Sequence, residues 1–379
     1  MTMGHDTQPT DLERALLVQV VLGNRDPREA EDSLAELERL ADTAGVDVIG
    51  RITQRRAKPT PGLFIGEGKL ADIQLACREG HAKLIIFDND LSAVQVNNLD
   101  LALGIKVIDR TELILQIFAR RAESAEAKVQ VELAQLQYLV SRIPVSRKQQ
   151  RFQGGIGMRG PGESPLQLRN EPMRRRIKDL KRRIEGIRKR RASGRKRRPW
   201  PVISLVGYTN AGKSTLLNAF THAGAYVDDR LFATLDTKTR LVHIADDQKL
   251  LLTDTVGFIR HLPHGLVASF RSTLDVAREA DLLLIVADAA DPGLAAQLEV
   301  VHQTLAEIEA SGVPQLLVLN KSDAASQDQL DSLTAAHHDA VVISARKGRG
   351  LDDLKNRIVA ELRRSGCILG ERASPAVDG

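Results

Sequence analysis

The chain has 379 residues, 42% of them hydrophobic and only 3% aromatic, which is enough for two or three folded domains and excludes both a disordered protein and a binder of single strands by stacked rings. Two distant cysteines, Cys77 and Cys367, exclude a disulfide framework or a Cys-based zinc site, and no apolar run approaches the roughly 18–20 residues of a membrane span. The net charge of +5 comes from one stretch, Arg174 to Arg198, with about fifteen cations against Asp179 and Glu185; the remainder is about −8.

From residue 15 to about residue 110, strand-like and helix-like runs alternate. Ala15–Leu22, Val46–Thr53, Lys83–Phe87 and Lys106–Ile108 read as strands. Pro27–Ala44, Lys69–Arg78 and Ser92–Leu103 read as helices. The expectation is a small, mostly parallel sheet covered by helices. Gly62, Gly66, Gly68 and Lys69 mark a strand-to-helix turn that favours a tight turn and helix start over a phosphate site.

Thr111–Ile143 reads as one long helix, with Ala125, Val129, Leu133, Leu136, Val140 and Ile143 in a single stripe ended by Pro144. A loop rich in glycine follows (Gly154, Gly155, Gly157, Gly160, Gly162). Then Met173, Ile177, Leu180, Ile184 and Ile187 form a heptad seam. Two such helices predict an antiparallel hairpin. Pro165 cannot lie inside a helix, so the second helix is expected to start near Asn170 or Glu171. A basic helix beside a glycine-rich loop, without aromatics, points to phosphate and shape contacts with folded RNA. The candidate contacts are Arg159, Arg174, Arg175, Arg176, Lys178, Lys181, Arg182 and Arg183.

After Trp200 the alternation resumes, with strands at Val202–Val206, Leu250–Asp254, Asp281–Ala287, Gln315–Leu319 and Val341–Ser344. Gly207-Tyr208-Thr209-Asn210-Ala211-Gly212-Lys213-Ser214 follows the first of these and fits the phosphate-loop pattern. Its glycines let backbone N–H groups curl round phosphate oxygens at a helix N-terminus. Lys213 would reach the β/γ-phosphates, and Ser214, followed by Thr215, would ligate Mg²⁺.

Four boxes follow in order. Phe232-Ala233-Thr234-Leu235-Asp236 carries the candidate switch threonine, Thr234, which completes Mg²⁺ coordination when γ-phosphate is present. Asp254-Thr255-Val256-Gly257 offers a carboxylate to Mg²⁺ through water and a Gly257 N–H to the γ-phosphate. Asn320-Lys321-Ser322-Asp323 supplies a carboxylate that accepts from guanine N1–H and N2–H₂, a donor pair adenine lacks. In Ser344-Ala345-Arg346 the Ala345 N–H can donate to guanine O6. These five boxes define a site for GTP and GDP, with Lys213, Thr234, Gly257 and Asn210 as catalytic candidates.

The position after Gly257, where Ras-like enzymes hold a water-orienting Gln, is Phe258. Intrinsic hydrolysis is therefore expected to be slow and strongly stimulated by a macromolecular partner. Asn210 adds K⁺ as a candidate activating cation, against the alternative of a residue that only caps a turn. His261 and His264 flank Pro263 and lack the further ligands of a metal site.

The whole chain, from about Ala15 to Leu362, resembles the HflX family of ribosome-associated GTPases. The resemblance rests on Phe232–Asp236 with Thr239-Arg240, on Ile86-Phe87-Asp88-Asn89, Asn98-Leu99, Val107-Ile108-Asp109-Arg110 and Gln130-Val131-Glu132-Leu133, and on the loop Gly154–Glu163. It implies an α/β fold in which a P-loop GTPase domain, 199–365, with a mostly parallel sheet and helices on both faces, follows an N-terminal α/β domain, 1–110, and a helical hairpin, 111–198. Residues 366–379 are expected to be a disordered tail. It also implies 23S ribosomal RNA of the large (50S) subunit as the polyanion, with the loop tip toward the peptidyl-transferase region, and a role in rescuing or splitting stalled or stressed ribosomes. GTP-gated help in large-subunit assembly stays open beside it. A cytoplasmic monomer without integral membrane association is expected.

Overall fold

The structure is a computed structural model; it describes residues 13–24, 26–142, 165–195, 199–221, 230–245, 248–260 and 274–367. The chain forms two compact units, Met1–Ile117 with Gln135–Ile177, and Phe118–Ala134 with Lys178–Gly379.

The first unit is built on β1 (Glu13–Leu22), β2 (Val46–Arg56), β3 (Leu84–Phe87) and β4 (Lys106–Asp109), in the order β2-β1-β3-β4 and parallel throughout. Strand β1 is buried from Ala15 to Val21, apolar throughout except for Gln19, as suits a central parallel strand. The crossovers are α1 (Pro27–Thr43), α2 (Glu67–Gly80) and α3 (Ala93–Leu103). Helix α1 starts where the Asp26 carboxylate accepts from Arg28 N–H and Pro27 presets the first turn, and it buries Leu34, Leu37 and Leu40. Helix α3 opens on a Ser92/Gln95 capping box and closes on Gly104 at φ 66°. The Gly66 cluster is a turn and helix start: Gly66 N–H donates to Gln54 Oε1 at 3.0 Å, and Lys69 pairs with Asp72 at 2.7 Å.

A charged cluster lies inside this unit. Arg110 is fully buried and pairs with Glu36 and with Asp88 (2.8 Å), while Ser33 Oγ and Gln19 Nε2 donate to Asp88. Burial alone would raise the Asp88 pKa, yet Arg110 and these donors hold it below the ordinary value. Removing the cation strands two buried carboxylates. Arg110→Leu is therefore expected to cost about 3–5 kcal/mol, read as an earlier urea midpoint for this unit; a change under about 1 kcal/mol would contradict it.

The predicted helix Thr111–Ile143 is in fact two, α4 (Arg110–Arg121) and α5 (Ala125–Ser141). The break comes at Ser124, whose hydroxyl accepts from Ala127 N–H at 3.0 Å and so caps α5. The next helix, α6 (Pro165–Arg195), starts earlier than predicted, because proline is suited to a first turn whose N–H has no partner in any case. It also runs through Pro172. Its seam residues Leu180 and Ile184 are buried. The glycine-rich loop with Arg159, the pair His261 and His264, and all but the start of the expected tail lie outside the described residues.

Among the described residues the second unit carries six strands: β5 (Val202–Val206), β6 (Lys238–Ala245), β7 (Gln248–Asp254), β8 (Leu282–Asp288), β9 (Gln315–Asn320) and β10 (Val341–Val342). Their order is β10-β9-β8-β5-β7-β6, parallel except for β6, which pairs antiparallel with β7 at the edge. Strand β6 was not predicted. Helices packed on this sheet include α7 (Lys213–Thr221), α8 (Leu294–Glu307), α9 (Gln327–Ala336) and α10 (Leu351–Arg364). Alternation along β8 divides the core. Leu282, Leu284 and Val286 pack in one cluster with α7 and α10, and Leu283, Ile285 and Ala287 in the other with α8. Helices thus cover both faces, and the phosphate loop emerges from a central strand.

Candidate nucleotide site

The site sits at the carboxyl ends of the parallel strands, where open α/β sheets place ligands. The β5–α7 turn depends on its glycines. Gly207 has φ 148°, and a Cβ there would lie 2.2 Å from the Val286 carbonyl oxygen; Gly212 has φ 92°, and its Cβ would meet Asn320 Nδ2 at 2.3 Å. Asn210 also adopts a left-handed φ of 61°, which Asn tolerates better than most residues.

Lys213 is almost fully buried, and its Nζ donates to the carbonyls of Gly207 (3.1 Å) and Tyr208 (2.7 Å). Burial lowers its pKa to about 8, with Asp254 opposing. Ser214 Oγ and Thr234 Oγ1 lie 2.8 Å apart and both donate to Asp254 Oδ2, at 2.6 and 2.9 Å. Burial raises the Asp254 pKa against the pull of Lys213 and these hydroxyls. Asp254 Oδ1 is buried and has no hydrogen-bond partner among the described residues. Two hydroxyls and a carboxylate with an unused oxygen are the hard donors Mg²⁺ takes.

At the other end, Asn320 joins three segments: its Nδ2 donates to Ala211 O at 2.9 Å and its Oδ1 accepts from Ala345 N–H at 3.0 Å. The Ala345 amide, the expected donor to guanine O6, here donates to Asn320. Asp323 is exposed, and its carboxylate accepts from Ser344 Oγ at 2.5 Å, which holds its pKa below the usual carboxylate range. Lys321 pairs with Asp288 at 2.7 Å.

A cavity of about 360 Å³ runs between these ends. The structure brings to its wall Thr209, Asn210, Gly212, Lys213, Ser214, Thr215, Phe232, Ala233, Thr234, Thr255, Gly257, Asn320, Lys321, Asp323 and Arg346. Arg230 and Ala324 line it too and were not anticipated; Arg230 immediately precedes the Leu231-Phe232 pair that anchors its segment. Other candidates stand behind the wall. Ala211, Leu235 and Val256 are buried supports, Ser322 N–H donates to Ile343 O, and Ser344 and Ala345 orient Asp323 and Asn320.

Phe258 is also a support. It is 1% exposed and packs with Val206, Leu274 and Leu294. Its N–H donates to Gly207 O at 3.1 Å, and its carbonyl accepts from Thr209 N–H at 2.8 Å. Arg260 N–H donates to Tyr208 Oη at 2.8 Å. The position that orients water in Ras-like enzymes here ties the phosphate loop to the segment after β7.

Asp236 faces elsewhere. Its carboxylate accepts from Glu123 N–H and Ser124 N–H, each at 3.0 Å, and from the Ser124 hydroxyl. This corrects its expected place among the nucleotide contacts. Sequence reasoning passed over Ser124, although a serine before Ala125-Glu126-Ala127-Lys128 is a helix-start signal.

A glycine-built loop over a buried lysine at the carboxyl end of a central parallel strand, beside a hydroxyl–carboxylate cluster and an exposed aspartate, is the arrangement of a P-loop GTPase. Three family models tile the chain: GTP-binding GTPase N-terminal over residues 31–119, GTP-binding GTPase middle region over 121–198, and 50S ribosome-binding GTPase over 202–321. The chain is 44% identical over 356 residues to GTPase HflX of Caldanaerobacter subterraneus, covering 93% of this chain and 81% of the relative. It is 44% identical over 358 residues to GTPase HflX of Escherichia coli K12, covering 92% and 83%. The crystal structure of the SsGBP–GDP complex matches 94% of this chain and 100% of that one, at 27% identity and a TM-score of 0.50. The chain belongs to the HflX family of GTPases, and GTP hydrolysis is its reaction. Among the described residues no helix is long and apolar enough to cross a membrane.

Proposed function

We propose that this chain is a ribosome-associated factor that binds the large subunit in its GTP state, through 23S ribosomal RNA, and leaves after hydrolysis, acting as a monomer in the cytoplasm to rescue or split stalled ribosomes. The observation that carries this reading is Phe258. Its side chain is committed to the core and its backbone to the phosphate loop, so the residue that should orient water cannot do so. An outside group must supply that function, and a macromolecular partner is the natural source.

The basic helix supports an RNA partner. On α6, Arg174, Lys178, Lys181 and Arg183 are exposed, whereas Arg175 and Arg182 also pair along the helix with Glu171 and Asp179. Arg176 is half-buried. Arg188 is committed to Asp275 at 3.1 Å and adds little to such a surface.

In hydrolysis Lys213 turns its ammonium from the loop carbonyls to the β/γ-phosphates, and the Gly257 N–H donates to the γ-phosphate. Asp323 holds the guanine edge. Ser214 and Thr234, with Asp254 through water, would hold Mg²⁺, which when bound neutralises the phosphate oxygens. K⁺ is proposed as an additional activating ion near Asn210.

GTP turnover with and without purified 50S subunits tests the reading. Stimulation of at least about tenfold is expected, with Lys213→Ala inactive in both cases and higher rates in KCl than in NaCl. Unstimulated turnover with normal GTP binding would remove the ribosomal reading, and equal rates in the two salts would remove K⁺. Failure of mature 70S particles to come apart with protein and GTP would turn the role toward subunit assembly.

A further inference from the structure

The segment that carries Thr234 is fastened at one end to the last turn of α4 and at the other to the junction of α4 and α5. Ahead of Thr234, the Phe232 ring packs edge-on against Phe118, with centroids 4.7 Å apart, and both rings are buried. Phe232 holds a left-handed φ of 56°, a conformation an aromatic residue keeps only when its surroundings enforce it. Beyond Thr234, the Asp236 carboxylate collects three donors from Glu123 and Ser124. The Ser124 hydroxyl has a double duty, since its hydrogen goes to Asp236 while its oxygen accepts from Ala127 N–H. Leu231 and Leu235 are buried on either side. Thr234 is therefore the middle of a short span held at two points, its hydroxyl 2.8 Å from Ser214 Oγ and 2.9 Å from Asp254 Oδ2.

We propose that Asp236 is a positioning residue for hydrolysis: by capping the α4–α5 junction at Ser124 it holds the Thr234 hydroxyl at the Ser214–Asp254 pair, without touching nucleotide itself. The proposal deepens the reading above and rests on its assignment of Thr234 to the Mg²⁺–phosphate centre. It follows that the nucleotide's γ-phosphate state and the start of α5 are joined through one carboxylate. Helix α5 leads by covalent continuity into the segment bearing the glycine-rich loop.

The test uses the full chain without ribosomes, with single-turnover GTP hydrolysis and GDP affinity read side by side. Asp236→Ala is expected to lower the hydrolysis rate about tenfold to a hundredfold, the usual cost of a misplaced group, while GDP affinity stays within about twofold. Asp236→Asn keeps an acceptor oxygen and should recover most of the rate. Ser124→Ala removes one of the three donors and should lower the rate about threefold. Because Asp236 acts through Thr234, adding Asp236→Ala to Thr234→Ala should change nothing further. Multiplying effects in that double variant, a neutral Asp236→Ala, a neutral Ser124→Ala, or an equal loss of GDP affinity would each overturn the proposal. If Thr234→Ala itself hydrolyses GTP normally, the reading of the site falls as well; if Thr234→Ala is inactive and Asp236→Ala normal, only the positioning role falls.

Discussion

Asp323→Asn should weaken GTP binding by about a thousandfold, because two hydrogen bonds to a charged acceptor, each worth roughly 1.5–3 kcal/mol, are lost at once. Asn offers one acceptor and turns an N–H₂ toward guanine donors. The carboxylate is well placed to receive the base, since it is exposed and Ser344 Oγ fixes one oxygen at 2.5 Å and holds the group ionised. Its frame is independent of it, because Asn320 secures the phosphate loop and the Ala345 strand-end through its own amide. The variant should therefore melt like the parent and accept xanthosine triphosphate, whose base carries an oxygen where guanine carries the amino group. Calorimetric titration with both nucleotides measures this. Undiminished GTP affinity would show that another residue reads the base.

Gly257→Ala should lower GTP hydrolysis at least about a hundredfold, with a much smaller effect on GDP binding. A Cβ at Gly257 would lie 2.8 Å from Thr209 Cα and 2.7 Å from Thr209 Cγ2, and 3.1 Å from Lys213 Nζ. Thr209 cannot retreat easily, because its amide is bonded to the Phe258 carbonyl and the Phe258 amide to Gly207. The strain must push Gly257 and its N–H away from the position proposed for the γ-phosphate, a group GDP lacks. Rapid-quench hydrolysis and GDP displacement in parallel separate the two effects, and equal losses in both would mean that the loop itself had collapsed.

Much of the architecture is legible in the sequence because two signals coincide there. Strand β1 is a run too apolar to face water on either side, and the phosphate loop has its glycines where backbone, not side chain, must meet the ligand. What escaped were features that depend on distant partners. Strand β6 buries only Val242 and Ile244 among Thr239, Arg240, Leu241 and His243, too weak an alternation to stand out until β7 supplies a ladder. The α4–α5 break is hidden because Ala122-Glu123-Ser124-Ala125 suits a helix by propensity. Ser124 ends it by capping α5 and by meeting Asp236, a residue 112 positions away. The same long-range pairing turned Asp236 from nucleotide to helix. Phe258 was recognised as unable to orient water, but its use as a fastening between loop and strand-end needed the packing around it.

The chain passes between its two compact units at 117/118, 134/135 and 177/178, each time within a helix, α4, α5 and α6. The nucleotide-binding part is therefore not a portable cassette. A fragment cut where the recognisable GTPase sequence begins, near Val202, would leave Phe118, Glu123 and Ser124 behind, and with them the ring under Phe232 and the three hydrogen bonds that Glu123 and Ser124 give to Asp236. In this chain the segment that carries Thr234 is held by residues that precede the phosphate loop by 83 to 89 positions. Gene fusions or truncations that respect only the outline of the GTPase fold would separate the Phe232–Asp236 segment from its footing.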